Sequence, residues 1–416
     1  MKRLLKVVSA VLAAGLVAFT GCNDKKSSSD KVKIALLTDR TGDFASYGEQ
    51  NYIGVKLAVD EINAAGGING KQIELIQADT QSDNTVYQEM ARKVCLEDKA
   101  DLVIGGISSA SREAIRPIFE ENETLYFYNQ EYEGGVASHY VFCDGPIPEM
   151  QIDPTVDYIM QNICPAGARV YIIAADYNFG QISSQWGKKA VERNGGTVIK
   201  TEFVPLGVSQ FSSTIANINA AKPDMIISFC AGGAQMSFYE QWSNSKYADI
   251  PIATSCAVAV NGEHKLFAPP AMANVYVGAP YYEEVETPAA KKFTADLKAA
   301  NPDVKYLGWD TETYYSSVYL YKAAAEKAGT TETEAVIAAL ESGVTFDGPG
   351  GMIVVNGKDH HTIRDIAVGK VDETNTLKVI NTFKGVKSNF IESLGVDLAR
   401  DGKNAVNRQY EPDGQK

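Results

Sequence analysis

The sequence predicts an α/β protein with two doubly wound parallel-sheet lobes and a cleft between them. Apolar runs of strand length alternate with longer segments of helical periodicity, which is typical of parallel sheets covered by helices on both faces. The alternation occurs twice, and the loop around Gly145–Pro148 separates the two runs. A chain of 416 residues with 45% hydrophobic residues is long and apolar enough to bury two cores.

The first run begins with an apolar strand over residues 32–37. A helix over 47–65 follows, because its apolar residues recur at spacings of three and four, and Gly66 and Gly67 end it. The next elements predicted are a strand over 72–78, a helix over 85–97, a strand over 101–105, a helix over 109–121 and a strand over 124–128.

The second run begins with the apolar strand over 168–175. It continues with a helix over 178–194, a strand over 197–204, a helix over 211–220 and strands over 224–229, 251–254 and 274–279. We expect the chain to cross between lobes near residues 146, 280 and 350. The domains predicted are lobe 1 (31–146 plus 281–349), lobe 2 (147–280 plus 350–390) and a C-terminal tail (391–416).

The N-terminal segment has the pattern of an export signal. A basic start precedes an apolar stretch that is marginal for a permanent span, which indicates a signal peptide over 1–21. Cys22 follows Thr-Gly, as at a lipoprotein processing site where the thiol is acylated and anchors the chain to a membrane. A periplasmic protein with an incidental Cys22 is the alternative. Residues 22–30, rich in Ser and Lys, predict a flexible tether, and no later segment resembles a membrane helix.

The charge balance argues against nucleic acid as a partner. The formal net charge is −13, whereas a surface that binds phosphates needs an excess of Lys and Arg. The acidic residues are spread along the chain, so their simplest role is to keep the protein in solution.

The cysteines and histidines predict neither a metal site nor a cofactor. Five cysteines lie beyond the tether, namely Cys95, Cys143, Cys164, Cys230 and Cys256. Export permits disulfides, and the pairs 143/164 and 230/256 remain open, because a sequence does not show geometry. The four histidines form no cluster, and His360 and His361 point to opposite faces if they lie on a strand.

Polar residues follow the ends of several predicted strands, where open parallel sheets bind ligands. The candidate ligand-binding residues are Ser108, Ser109, Tyr128, Gln130, Glu131, Tyr177, Phe179 and Tyr281. Ser109 begins a helix, so its hydroxyl and the free N–H groups there can hold a carbonyl or carboxylate oxygen. The alternative is that Ser109 only caps the helix. Nucleophile, phosphate-loop, zinc-protease and dinucleotide motifs are absent from the sequence, which favours binding over catalysis.

Two longer segments carry a resemblance to a known family. Gly42-Asp43-Phe44 with residues 54–70 (GVKLAVDEINAAGGING) resembles the opening of type I periplasmic binding proteins of the branched-chain amino acid and amide uptake class. Residues 109–120 (SASREAIRPIFE) and Tyr132-Glu133-Gly134 resemble the urea- and short-chain-amide-binding branch. Further short matches to that branch are Asp176-Tyr177, Pro205-Leu206, Ala279-Pro280-Tyr281-Tyr282, Thr287-Pro288-Ala289 and His361-Thr362.

The resemblance implies an extracytoplasmic solute-binding protein of an ABC importer, which captures a small polar, amide- or urea-like ligand between two closing lobes. Its membrane partners would be a permease and an ATPase. Uptake of a branched-chain type of amino acid and a ligand-sensing receptor are the alternatives. By resemblance, Ser109 holds a ligand oxygen, Tyr128 and Gln130 are contacts in the next loop, and Tyr177 and Phe179 form the aromatic wall of the second lobe.

Departures from the branch put its ligand in question. Amide- and urea-binding relatives tend to have an aromatic where this chain has Ile107, a proline at Asn129 and no acid at Glu131. Amino acid binders of the class clamp the ligand ammonium with an acid after the strand over 251–254, but Ser255-Cys256-Ala257 contains none. Glu131 or Glu283 can replace that acid. We expect Glu131 to face solvent and the ligand to be neutral, whereas an inward Glu131 would favour amino acids or amines.

The anchor is testable by replacing Cys22. If the thiol is acylated, Cys22→Ser should move the protein out of the membrane fraction after cell lysis, as measured by immunoblotting of washed membranes. Equal membrane association of parent and variant would contradict lipid anchoring.

Overall fold

The computed structural model describes residues 30–256, 258, 260 and 262–414. The predicted signal peptide, Cys22 and nearly all of the predicted tether lie outside these residues, so the anchor stays a prediction. Within the described part, none of the helices combines the length and the hydropathy that a membrane crossing requires.

Sixteen strands are present among the described residues. They are β1 (Lys31–Thr38), β2 (Gln72–Asp79), β3 (Leu102–Gly105), β4 (Tyr126–Tyr128), β5 (Val136–Ala137), β6 (Val141–Cys143), β7 (Arg169–Ala175), β8 (Thr197–Val204), β9 (Met225–Phe229), β10 (Ile252–Thr254), β11 (Val275–Ala279), β12 (Thr345–Gly348), β13 (Gly351–Asn356), β14 (His361–Val371), β15 (Leu377–Val386) and β16 (Arg408–Gln409).

The α-helices of the described part alternate with these strands over most of the chain. They are α1 (Ala45–Ala64), α2 (Asn84–Lys93), α3 (Ser109–Glu121), α4 (Pro148–Asn162), α5 (Asn178–Arg193), α6 (Ser212–Ala221), α7 (Gly232–Ser243), α8 (Pro288–Ala300), α9 (Trp309–Ala328), α10 (Thr333–Glu341), α11 (Phe390–Ser393) and α12 (Leu398–Asp401). The helix predicted over 85–97 differs, because α2 passes into a π-helical turn at Val94–Asp98 that left-handed Lys99 ends.

The strands form a mostly parallel sheet, so the predicted α/β fold class is confirmed. Its order is β2-β1-β3-β4-β6-β14-β11-β10-β9-β7-β8. The long strand β14 joins the two halves: His361 pairs with Cys143 of β6, and the segment from Ala367 to Lys370 runs antiparallel to β11. The residue ranges given above for the two lobes stay a prediction.

Alternating side chains along the central strands bury both faces of the sheet. In β1, Ile34 packs in the cluster that contains α1 and α9 residues, whereas its neighbour Ala35 packs in the cluster with α2 and α3 residues. In β7, Ile173 packs in a third cluster, and its neighbour Ile172 packs in a fourth cluster on the opposite face. The period of two is therefore what places a hydrophobic layer on each side.

A buried ionic triad lies where β6, α9 and β14 meet. The guanidinium of Arg364 donates from Nη1 to Glu312 Oε2 and from Nη2 to Asp144 Oδ1, both at 2.7 Å. These three side chains are at most 2% exposed. Burial raises the pKa of Glu312, and the charge of Arg364 opposes that rise. The triad therefore joins the strand that both halves share to a helix and to the loop after β6.

Neither open disulfide pairing is formed. Cys95, Cys143, Cys164, Cys230 and Cys256 are all free thiols, and all but Cys164 are buried. Small buried thiols behave as apolar core residues, which accounts for four of them without a disulfide.

Replacing Arg364 tests the triad. Arg364→Ala should lower the free energy of unfolding by about 3–5 kcal/mol, because it leaves two buried carboxylates without their cation. Arg193→Ala is the matched control: its pairs with Asp153 and Asp157 lie at the surface, so it should cost about 1 kcal/mol or less. Urea unfolding at pH 7 measures both, and equal losses for the two variants would contradict the role of the triad.

Candidate functional site

Four helices begin around one small cavity. It is lined by Phe44, Tyr47, Ile107, Ser108, Ser109, Gln130, Glu131, Tyr177, Phe179 and Ala231. Phe44, Ser108, Tyr177 and Ala231 are the N-cap residues of α1, α3, α5 and α7. Because the first N–H groups of a helix lack partners within it and carry partial positive charge, this edge of the sheet suits an anionic group.

Six of the eight predicted site residues line this cavity, and two do not. Tyr128 is buried behind it, where its hydroxyl donates to Ile107 O at 2.9 Å and its ring lies 5.0 Å from the Arg112 guanidinium carbon. The hydroxyl of Tyr281 is hydrogen-bonded to Thr294 Oγ1 at 2.7 Å. Tyr128 therefore supports the loop that contains Ile107, and Tyr281 belongs to the core around α8.

Sequence reasoning missed Phe44, Tyr47, Ile107 and Ala231 as candidates. Each follows the carboxyl end of a strand: Phe44 and Tyr47 after β1, Ile107 after β3 and Ala231 after β9. The rule that ligands bind beyond the carboxyl ends of parallel strands applies to all four positions. Phe44 was used only as part of a family motif and Ile107 only as a departure from the related branch. Ala231 carries no polar group, and Tyr47 lies nine residues beyond Thr38, the last residue of β1.

Glu131 is buried in the cavity wall, so the expectation that it faces solvent is wrong. Its side chain is 8% exposed, Oε1 accepts from Cys256 Sγ at 3.1 Å, and Oε2 has no hydrogen-bond partner among the described residues. Burial raises the pKa of Glu131 well above its ordinary value, and the negative charges of Asp310 and Glu263 raise it further. Glu283 lies elsewhere, where it accepts from Leu307 N and pairs with Lys298.

Gln130 presents a second buried acceptor to the cavity. Its Nε2 donates to both carboxylate oxygens of Asp310, at 2.9 and 3.0 Å, while its Oε1 has no partner among the described residues. Burial raises the pKa of Asp310, and the hydrogen bond from Gln130 opposes that rise. Asp310 thus fixes the amide so that its oxygen stays available.

The two serines have different local roles. Ser108 caps α3, since its Oγ accepts from Ser111 N at 3.0 Å. The alternative that Ser109 only caps this helix is therefore wrong. Ser109 donates its hydroxyl proton to Glu133 Oε2 at 2.5 Å. Both residues line the cavity at the start of the same helix.

Aromatic rings close the other sides of the cavity. The rings of Tyr177 and Phe179 lie 5.9 Å apart between centroids, and those of Phe44 and Tyr47 are also 5.9 Å apart. The cavity has a volume of about 20 Å³, which is room for about one water molecule. A larger ligand therefore needs the walls to separate.

A family model and curated relatives match most of the chain. The model described as "Periplasmic binding protein" matches residues 31–376. The leucine-, isoleucine-, valine-, threonine- and alanine-binding protein of Pseudomonas aeruginosa is 25% identical over 354 residues, which is 84% of this chain and 91% of that protein.

Solved structures share the fold. The amino acid ABC transporter substrate-binding protein from Pseudomonas fluorescens Pf-5 superposes with a TM-score of 0.78 at 18% identity, over 89% of this chain and all of that one. A solute-binding protein from Rhodopseudomonas palustris BisB5, solved with 3,4-dihydroxybenzoic acid, has a TM-score of 0.75 at 20% identity and covers 86% and 98% of the two chains. At these identities the likeness shows the fold alone.

The buried carboxyl predicts a stability change that depends on pH. Because the pKa of Glu131 is raised in the folded state, its contribution to stability is full below the unfolded pKa of about 4.3 and is lost as pH rises through the folded pKa. Glu131→Gln keeps the shape without this loss. The ligand-free variant should therefore match the parent in free energy of unfolding near pH 4 and be more stable than the parent at pH 8. Denaturant unfolding at both pH values measures the difference, and a variant less stable than the parent at pH 8 would contradict the assignment.

Proposed function

The chain belongs to the periplasmic binding protein family, and on that basis we propose that it captures a zwitterionic amino acid for an ABC importer. Proteins of this family are solute-binding proteins rather than enzymes, and they work with the permease and ATPase subunits of a transporter. The amino acid, the residues that hold it and the export with a lipid anchor are the parts that we propose.

The observation that carries the proposal is the inward Glu131. Its Oε2 is buried, and among the described residues it has no hydrogen-bond partner and its carboxylate forms no ion pair with Lys, Arg or His. A buried charge without a partner is costly. A ligand ammonium supplies both the missing charge and an N–H donor, and Gln130 Oε1 offers it a second acceptor.

The carboxylate of the ligand can bind at the helix N-termini. The N-termini of α1, α3, α5 and α7 border the cavity, and free N–H groups at helix N-termini bind carboxylates. A site with one buried carboxylate and several helix N-termini complements a molecule that carries both charges. An α-amino acid is the smallest common molecule of that kind.

The walls favour an apolar side chain on that amino acid. Phe44, Ile107 and Phe179 supply apolar surface, and Tyr47 and Tyr177 add aromatic faces with a polar tip. The relative from Pseudomonas aeruginosa is named for five amino acids, three of them branched-chain. This supports the amino acid alternative over the amide- or urea-like ligand that the sequence led us to expect.

An aromatic acid is the second candidate, because helix N-termini also suit a lone carboxylate and a structural neighbour was solved with 3,4-dihydroxybenzoic acid. Such a ligand leaves Glu131 without a cation. For either ligand, the lobes must separate for entry and close on the bound molecule, since the cavity holds about one water molecule. The transporter would then recognise the closed form.

Binding measurements on Glu131→Gln test the proposal. A thermal-shift screen of the twenty amino acids, small amides, urea and hydroxybenzoates identifies the tightest ligand, and isothermal titration calorimetry gives its Kd. We expect an amino acid, with affinity at least tenfold weaker in Glu131→Gln, which is about 1.4 kcal/mol, because the swap removes charge and keeps shape. Glu192→Gln, an exposed acid on α5, is the matched control and should leave Kd unchanged.

Two results would contradict the proposal. One is a parent protein that binds an amide, urea or a hydroxybenzoate more tightly than any amino acid. The other is an amino acid whose Kd is the same in the parent and in Glu131→Gln.

A further inference from the structure

The C-terminal segment 408–413 contacts residues that support the candidate binding site. It lies beyond residues 31–376, which the family model matches. Its strand β16 pairs antiparallel with β5, Arg408 opposite Ala137 and Gln409 opposite Val136. This pairing directs the Gln409 amide to the loop after β4, where Nε2 donates to Glu133 Oε1 at 2.6 Å and to Gly134 O at 2.9 Å.

Glu133 is held by three side chains at once. Its side chain is fully buried, Oε1 accepts from Arg112 Nη2 at 2.7 Å and from Gln409, and Oε2 accepts from Ser109 Oγ at 2.5 Å. Arg112 Nη2 also donates to Gln409 Oε1 at 3.0 Å, so Arg112, Glu133 and Gln409 form a closed ring. Both carboxylate oxygens are therefore fixed.

The fixed carboxylate of Glu133 determines whether the hydroxyl of Ser109 donates a hydrogen bond to a ligand or accepts one. A hydroxyl has one proton and two lone pairs, and Ser109 gives its proton to Glu133. Toward the cavity, Ser109 Oγ then has only lone pairs and acts as an acceptor. Ser109, Gln130 and Glu131 all line the cavity, and Gln130 Oε1 and Glu131 Oε2 have no hydrogen-bond partner among the described residues. These three residues therefore offer as many acceptors as an ammonium group has N–H donors.

The end of the segment contacts α5, the helix whose start contributes Tyr177 and Phe179 to the cavity wall. Glu411 accepts from Gln185 Nε2 at 3.3 Å, and Asp413 pairs with Lys189 at 3.2 Å, both on α5. Trp186 of α5 donates to Glu133 O at 3.0 Å. The segment thus contacts both α5, which begins at the cavity, and the loop that holds Glu133.

We propose that Gln409 is a positioning residue for ligand recognition, which acts through Glu133 to keep Ser109 as an acceptor for the ligand ammonium. This rests on the proposed capture of an amino acid. It makes the C-terminal segment part of the specificity of the site, since a Ser109 released from Glu133 can turn and donate to a carboxylate instead.

The test compares ligands that differ only in the amine. Gln409→Met keeps the length of the side chain and removes its N–H donors, and Arg408→Met on the same strand is the matched control. With L-leucine and its amine-free analogue 4-methylpentanoate as probes, Gln409→Met should bind leucine about fivefold more weakly, the effect of one hydrogen bond, and the analogue as well as or better than the parent does. Arg408→Met should change neither affinity. Equal weakening of both probes, as a merely structural role would give, or no change in either, overturns the proposal.

A measurement without ligand separates this proposal from the proposed function. Amide hydrogen exchange at Ser109–Ser111 should be faster in Gln409→Met than in the parent and unchanged in Arg408→Met, because loss of the Glu133 ring loosens the start of α3. Unchanged exchange in Gln409→Met overturns the positioning role whatever the ligand is. A parent that binds no amino acid while exchange responds as expected overturns the proposed function, and with it the ammonium as the group that Ser109 accepts from, but supports the positioning of Ser109 by Gln409.

Discussion

The buried carboxyl group of Glu131, which has no ion pair among the described residues, determines which charge a ligand of this cavity has to carry. Glu131 lies in the wall of a cavity of about 20 Å³, with one oxygen bound to the Cys256 thiol and the other without a described partner. Closing the walls removes water from this group, so closure without a ligand is opposed by the cost of desolvating a charge or by the need to protonate it. A cationic ligand would remove that penalty, and closure would then be coupled to binding.

The other buried acids near the sheet edge make Glu131 distinctive. Asp144 and Glu312 share Arg364, and Glu133 is bound to Arg112 and Gln409. These pairs join strands, helices and the C-terminal segment, and removing one partner would leave an uncompensated buried charge. Each of these three acids is therefore paired with a cation within the protein, although Asp144 Oδ2 and Arg112 Nη1 have no hydrogen-bond partner among the described residues. Among the described residues, the carboxyl group of Glu131 accepts only from a thiol and that of Asp310 only from an amide. Glu131 has no such cation among these residues, and in the proposed function a ligand supplies it.

Most of the fold was predictable because its signals are local. The two alternations of strand and helix, the helix over 109–121 and the strand over 197–204 agree with the structure, since periodicity and glycine stops act within a few residues. The strand-end rule placed six of eight chosen residues at one cavity. The predictions that were wrong concern side chains whose contacts lie far away in the sequence. Glu131 is buried because it contacts Cys256 on another loop, and Tyr128 lies outside the cavity because its ring packs against Arg112. The role of Gln409 was also out of reach, because only the pairing of β16 with β5 brings it to Glu133.

Binding of an amino acid and of its two halves shows whether the cleft recognises opposite charges at two places. Isothermal titration calorimetry of the parent protein with L-leucine, with 4-methylpentanoate, which lacks the amine, and with 3-methylbutylamine, which lacks the carboxylate, gives three affinities under one condition. The account predicts that leucine binds and that each half binds at least about a hundredfold more weakly, because each leaves a buried charge or a set of helix N–H groups without its partner. A half that binds as tightly as leucine would contradict it.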